Sequence, residues 1–268
     1  MCTMNLQQPT QGNLPATIVL VGGLDPGAGA GVVRDLLTTV ALGARGEVVG
    51  TAWTEQGFSS ARAIEPRAPE RVLVALAAAL ARVGQEGNAG SAVKIGMVTN
   101  APIAQAIETA LRAYAGPVVY DPVLRASSGD SLYDGERSAI LALARRATLL
   151  TPNLGEAAWL LDRPVRSESD ARAAARDLRA LGIAAVLVKG GHLEGDATDV
   201  LLSPAGESLF SSPRIPGPSP RGTGCALATA IAVGLARGET VECAVASAKT
   251  WLTRHIASAR PVGEERHL

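Results

Sequence analysis

The chain has 268 residues, 47% of them hydrophobic, and its 25 basic and 25 acidic residues cancel to a formal charge of zero. That size and apolar content suit one large α/β domain, and a neutral balance without a basic run argues against broad nucleic-acid or acidic-membrane binding. No uninterrupted apolar stretch reaches spanning length, Met1 to Gly12 is polar without a signal-peptide core, and Cys2, Cys225 and Cys243 form no CxxC pair; the expectation is a cytoplasmic protein with a small-molecule partner, no membrane contact and no zinc site.

Residues 1–14 read as a flexible N-terminal segment, and no composition shift divides the remainder, so 1–268 reads as one domain. Thr17 to Val21 is a β-branched run ending in Gly22-Gly23. Asp25-Pro26-Gly27-Ala28-Gly29-Ala30-Gly31 and an apolar-periodic segment from Val32 to Leu42 follow, giving strand, glycine loop, helix. The Asp-Pro spoils the spacing of a dinucleotide fingerprint, while the glycines let the backbone approach a flat ligand. Asp35, one turn into the helix, either points back at that loop or lies on a solvated face.

Alternation continues with strands at Glu47 to Trp53, Ala92 to Met97 and Pro117 to Tyr120, separated by helices near Pro69 to Val83 and Pro102 to Tyr114. Strands alternating with helices in this way imply a parallel sheet. After the second strand, the amide of Gln56 can both donate to and accept from a heteroaromatic ring edge, or simply sit on an exposed loop. After the strand ending at Tyr120, Asp121 either holds magnesium-bound water or caps a turn.

Leu149 and Leu150 end a further strand, and Asn153-Leu154-Gly155-Glu156 has capping-box spacing. Asn153 and Glu156 are therefore a helix cap, or orient water on magnesium near a phosphate. A helix near Glu168 to Leu181 precedes a buried strand, Ala184 to Val188, that ends at Lys189-Gly190-Gly191-His192. The Lys189 ammonium emerges there in a position suited to phosphate, and His192 reads as a hydrogen-bonded loop residue. Four prolines between 213 and 220 mark a loop over the site, and helices from Thr223 to Arg237 and from Val241 to Ala259 close the chain. The motifs thus collect at strand carboxyl ends, where open α/β sheets bind ligands.

Two features carry the chemistry. Lys94, Lys189 and Lys249 are the only lysines, the other 22 basic residues being arginine. A lysine kept in so arginine-rich a chain points to a task for a compact charge that a planar guanidinium does not perform. The second feature is Arg221-Gly222-Thr223-Gly224-Cys225, a Gly-x-Gly turn opening an apolar helix. The N–H groups of Gly222, Thr223 and Gly224 and of the helix start form an anion trap. Cys225 sits in the first turn, where the helix N-terminus is expected to lower its pKa and suit it to take a proton from a hydroxyl attacking phosphorus; the alternative is a small buried cysteine.

Taken in order, Gly23 to Gly31, Lys94-Ile95-Gly96-Met97, Asp121-Pro122-Val123, Thr151 to Ala157, Lys189 to His192 and Gly222 to Cys225 resemble the hydroxymethylpyrimidine/phosphomethylpyrimidine kinases of the thiamine pathway, within the ribokinase-like superfamily. The resemblance runs from about Thr17 to Leu252. It implies a three-layer α/β/α fold with a mostly parallel central sheet, a homodimer, and ATP- and magnesium-dependent phosphorylation of 4-amino-5-hydroxymethyl-2-methylpyrimidine and then of its monophosphate. It further implies that Gln56, Asp35, Gly23, Met97 and Val123 hold the pyrimidine and that Cys225 is the base. Asn153, Glu156, Asp121, Lys189 and Lys249 face the nucleotide phosphates, with Glu156 and Asp121 reaching the metal through water.

The chain departs from that pattern in four places. Arg221 stands where histidine is common, Gly57 where asparagine follows the glutamine, and Ser127 where lysine precedes Ser-Gly-Asp; the tail lacks the usual Gly-His-Gly-x-Gly-Pro. These bear on the second phosphorylation. Two other readings compete: a pyridoxal kinase, which a second, aldehyde-capturing cysteine would favour, and a catalytically silent pyrimidine-binding homologue.

Overall fold

The computed structural model describes residues 15–57, 60–85, 90–126, 129–191, 195–217, 220–262 and 265–267. In chain order the elements are β1 (Thr17–Leu24), α1 (Gly31–Ala41), β2 (Arg45–Gly57), β3 (Ser60–Pro66), α2 (Pro69–Gln85), β4 (Ser91–Ile95), α3 (Ala101–Leu111) and β5 (Val118–Tyr120). Then come α4 (Arg137–Ala144), β6 (Leu149–Leu150), α5 (Leu154–Leu161), α6 (Glu168–Ala180), β7 (Val186–Val188), β8 (Ala197–Ser203) and β9 (Gly206–Ser212). Helices α7 (Thr223–Ala236) and α8 (Val241–Ser258) follow, with a short ribbon of β10 (Arg260–Val262) and β11 (Glu265–His267).

Nine strands form one sheet in the order β3-β2-β1-β4-β5-β6-β7-β8-β9. The six from β2 to β7 pair in parallel, and β3, β8 and β9 join antiparallel at the two edges. Central strands are mostly apolar because both faces are covered. In β1, Ile18 and Leu20 enter one core while Val19 and Val21 enter the other, all four fully buried. The first core is closed by α1, α7 and α8, the second by α2 to α6, which gives three layers, α/β/α. Helix α7 is buried continuously from Ala226 to Ala236, so its small apolar residues run through the middle of its layer. Among the described residues no helix is long and apolar enough to cross a membrane.

Chain direction across the sheet reverses at β1, which has β2 on one side and β4 on the other. Such a switch point leaves a crevice beyond the strand carboxyl ends, because successive crossovers leave to opposite faces. A register shift between Gly22 and Gly23 marks the end of β1 beside it.

The sequence reading misses the antiparallel pieces and α4. Strand β9 forms the edge beyond β8 and alternates between exposed and half-buried residues, so its hydrophobic pattern is faint. Helix α4 is eight residues long without a side-chain cap, and β3 belongs to a hairpin with β2, not to the repeating crossovers.

Candidate active site

A cleft of about 440 Å³ opens at the carboxyl ends of β1, β4, β5 and β7. On its β1 side stand Gly23, Met97 and Val123; on the far side stand Asp121, Asn153, Glu156 and Lys189; the first turn of α7, Gly222 to Cys225, lies between them. Gly23 lies close against Met97: a Cβ there would come within 2.8 Å of the Met97 methyl. Met97 packs with Ala52 and Leu132, and Val123 leans on the same cluster, giving an apolar wall fit for a flat ring.

Two glycine loops lock together to aim α7. Gly31 and Gly222 both have left-handed backbones, at φ +63° and +75°. A Cβ at Gly31 would lie 2.3 Å from the Gly23 carbonyl oxygen, where the first loop closes on its own start, and one at Gly222 would lie 2.3 Å from the Gly29 carbonyl oxygen, where the second loop passes directly over the first. Asp25, almost fully buried, accepts from Gly27 N–H (2.9 Å) and Ala30 N–H (3.0 Å), and Arg221 reaches to 3.6 Å from its Oδ2. The first N–H groups of α7, which lack partners within the helix, are thereby turned into the cleft.

Each of the three lysines is paired with an aspartate. Lys94 Nζ donates to Asp35 Oδ2 at 2.7 Å with both side chains fully buried, and Thr229 Oγ1 donates to Asp35 Oδ1 at 2.9 Å. Burial alone would drive the Lys94 ammonium toward neutrality, but the Asp35 carboxylate beside it leaves its pKa raised. Asp35, pushed up by burial, is pulled back by Lys94 and Thr229. Lys189 donates to Asp121 Oδ1 at 2.5 Å, and a Cβ on Gly224 would meet the Lys189 ammonium at 3.2 Å, so this pair stands against the start of α7. Lys249 lies away from the cleft lining: it donates to Ala197 O and to Asp199 Oδ2, both at 2.7 Å, and Asp199 accepts from Gly190 N–H at 2.9 Å. Its reach to the site runs through the backbone after Lys189. A compact ammonium fits all three enclosures, which gives the lysine bias of the composition a packing cause.

Cys225 corrects the expectation of a lowered pKa. It is partly open to the cleft, and the Gly31 N–H donates to its sulfur. Lost hydration outweighs these and the Lys94 cation and, with the negative Asp35 and Asp121 nearby, pushes the thiol up to about 11. The resting group is therefore a neutral thiol: the helix end lies too deep for its field to offset desolvation.

Asn153 and Glu156 are a helix cap and also line the cleft. Glu156 N–H donates to Asn153 Oδ1 (2.9 Å), and Asn153 N–H donates to Glu156 Oε2 (2.7 Å). Burial pushes Glu156 up to about 7, helped by Asp121 and opposed by Lys189. Gln56 falls in β2, but its side chain, like Ser127 and His192, lies outside the described residues. The loop of prolines is described at 213–217 and at Pro220, which lines the cleft.

Asp25, Lys94, Thr54, Thr229 and Arg34 gather around the site without having been read as site residues. For Lys94 a signal existed: a charge inside the apolar strand Ala92 to Met97 demands a buried counter-charge, and Asp35 supplies it. Nothing in the sequence singles out Thr229, one turn beyond Cys225 on a helix that is otherwise apolar.

The family model for phosphomethylpyrimidine kinase matches residues 25–267 of the chain. A hydroxymethylpyrimidine/phosphomethylpyrimidine kinase of Streptomyces coelicolor is 37% identical over 259 residues, 95% of this chain and 94% of that protein. Among solved structures, phosphomethylpyrimidine kinase of Clostridium difficile aligns with a TM-score of 0.77 at 29% identity, covering 90% of this chain and 99% of that one. A pyridoxal kinase of Staphylococcus aureus in complex with AMP-PCP aligns with a TM-score of 0.85 at 26% identity, covering 96% and 94%.

Proposed function

The chain belongs to the phosphomethylpyrimidine kinase family, and we propose that it transfers the γ-phosphoryl group of ATP to the hydroxymethyl oxygen of 4-amino-5-hydroxymethyl-2-methylpyrimidine and then to the phosphate of the product. The observation that carries this reading is the first turn of α7, set between an apolar wall on the β1 side and the Asp121–Lys189 pair on the other. A ring on Met97 and Val123 presents its hydroxymethyl arm to Cys225, while nucleotide phosphates lie toward Lys189, Asn153 and Glu156.

Phosphoryl transfer passes through a loose transition state, so positioning and charge stabilisation do most of the work. The N–H groups of Thr223, Gly224 and Cys225 face the transferred group, and Lys189, held by Asp121, adds a fixed positive charge beside them. Cys225 takes the acceptor's proton only from its thiolate, a small fraction at neutral pH that grows about tenfold per pH unit below a pKa near 11. A late proton transfer tolerates this scarcity.

Among the described residues there is no group of three or more metal-binding side chains. Two neighbouring carboxylates, Asp121 and Glu156, are still enough for magnesium that arrives on nucleotide phosphates and keeps most of its waters. When bound, that ion neutralises charge on the phosphates; Glu156 must be ionised to face it.

A second reading, a pyridoxal kinase, is supported by the 0.85 TM-score to the Staphylococcus aureus enzyme. Against it, Cys225 is the sole cysteine in the cleft lining among the described residues, and the 212–220 loop contains none. The deciding experiment couples ADP release to the purified protein with magnesium-ATP and offers the pyrimidine alcohol, its monophosphate and pyridoxal separately. Turnover on the pyrimidines supports the proposal. Preference for pyridoxal replaces it with the second reading, and silence on all three leaves a binding protein.

A further inference from the structure

Arg221 sits immediately before the N-cap of α7 and lines the cleft, with 18% of its side chain exposed. Its position relative to the anion trap is informative. Lys189 approaches the first turn of α7 from the β7 side, where Gly224 faces it. Arg221 approaches the same turn from the β1 side: its guanidinium covers Gly29, whose Cβ would lie 3.3 Å from Nη1, and it reaches toward Asp25. The two cations therefore meet the helix start at different points, Lys189 at Gly224 and Arg221 at the Gly29 loop, and both line the cleft that Gly23, Met97 and Val123 share.

Of the contacts that hold Arg221, the one to Asp25 is replaceable. At 3.6 Å its approach to Asp25 Oδ2 is longer than the roughly 2.7–2.9 Å of a charge-assisted hydrogen bond. Asp25 has, besides, the two N–H donors of Gly27 and Ala30, so its carboxylate stays satisfied when the guanidinium turns. A phosphate monoester on the acceptor brings nearly two negative charges and three oxygens to this point, and the planar fork of arginine binds such a group through two parallel N–H donors. An uncharged hydroxymethyl group offers no equivalent attraction.

We infer, resting on the kinase reading above, that Arg221 is a specificity-determining residue that binds the acceptor's phosphate and so favours the monophosphate over the alcohol. In the resting protein it bridges to Asp25 and fastens the 25–31 loop to the start of α7; with the phosphorylated acceptor in place, the guanidinium exchanges that carboxylate for the phosphate.

The test compares wild type, Arg221→Gln and Arg221→Lys in steady-state kinetics with the alcohol and the monophosphate, at saturating magnesium-ATP. For Arg221→Gln the ratio of kcat/KM for monophosphate to that for alcohol is expected to fall about 10- to 100-fold, through KM for the monophosphate. Arg221→Lys keeps the charge without the fork and recovers part of the loss; it also serves should the glutamine variant fail to fold. An unchanged ratio in the soluble variants, or wild-type turnover of the alcohol alone, overturns the assignment while leaving the kinase reading standing. Wild-type inactivity toward both pyrimidines removes the kinase reading and this inference with it.

Discussion

The sharpest consequence of the structure concerns the charge state of Cys225. A thiol pushed up to about 11 is roughly 3 parts in 10,000 thiolate at pH 7.5, against about one part in ten for a free cysteine. Alkylating reagents attack the thiolate, so iodoacetamide should modify Cys225 about 300-fold more slowly than free cysteine at that pH, even before access is considered. Access is removed from the comparison by using the pH dependence: mass-spectrometric quantification of the Cys225 peptide should show a rate rising about tenfold per pH unit from pH 7 to 10, without levelling. The same shift links to stability. Because the folded pKa lies above that of a free cysteine, about 8.5, the native state holds its proton longer, and stability is lost as pH rises through the window from about 8.5 to about 11. The wild-type protein should lose stability relative to Cys225→Ala in that window by at most about 1.4 kcal/mol per pH unit, less in proportion to the water that reaches the sulfur. An alkylation rate that levels off below pH 9 would refute the reasoning and show that the helix end and Lys94 outweigh burial after all.

Cys225→Ala should reduce kcat about 10²- to 10⁴-fold with little change in pyrimidine affinity measured by calorimetry, as befits a proton acceptor; near-normal turnover excludes that role. For Glu156, raised to about 7 by burial, apparent magnesium affinity in activity titrations should weaken about tenfold per pH unit below that value. Its folded pKa also exceeds the ordinary 4.5, so the native state sheds stability as pH rises through the window from 4.5 to about 7, and Glu156→Gln should raise the melting temperature at pH 8 but not at pH 4.5. Glutamine can serve the same cap; no stabilisation at pH 8 would mean that Lys189 already compensates the buried charge. Gly222→Ala places a Cβ 2.3 Å from the Gly29 carbonyl oxygen at φ +75°. Chemical denaturation should show a loss of about 2 kcal/mol or more, with KM for both substrates rising as α7 is displaced. Unchanged stability would show that the two loops are not locked together.

Much of this was legible in the chain itself. Apolar runs such as Thr17 to Val21 and Ala184 to Val188, alternating with amphipathic helices, are enough to announce a parallel sheet covered on both faces, because only strands buried twice can be so uniformly apolar. The Asn153–Glu156 cap followed from spacing alone, since a capping box is closed within four residues. Gly-x-Gly before Cys225 marked a helix start for the same local reason. The edge strand β9 was not legible, because a half-exposed strand leaves only a weak alternation.

Tertiary structure decided what depends on distant residues meeting. Lys94 and Asp35 are 59 positions apart and Lys189 and Asp121 are 68 apart, yet each pair closes to a hydrogen-bonded distance. The lysine bias of the composition hinted at special tasks without naming those partners. Whether Asp35 lay on a solvated face or inside the protein was settled by β4 and α7 folding over it, with Lys94 and Thr229 supplying its counter-charge and hydrogen bond. The charge state of Cys225 turned the same way. Local sequence placed it at a positive helix end, but the depth of that end in the fold set the desolvation, and desolvation is a property of everything packed around a group, not of its neighbours in the chain.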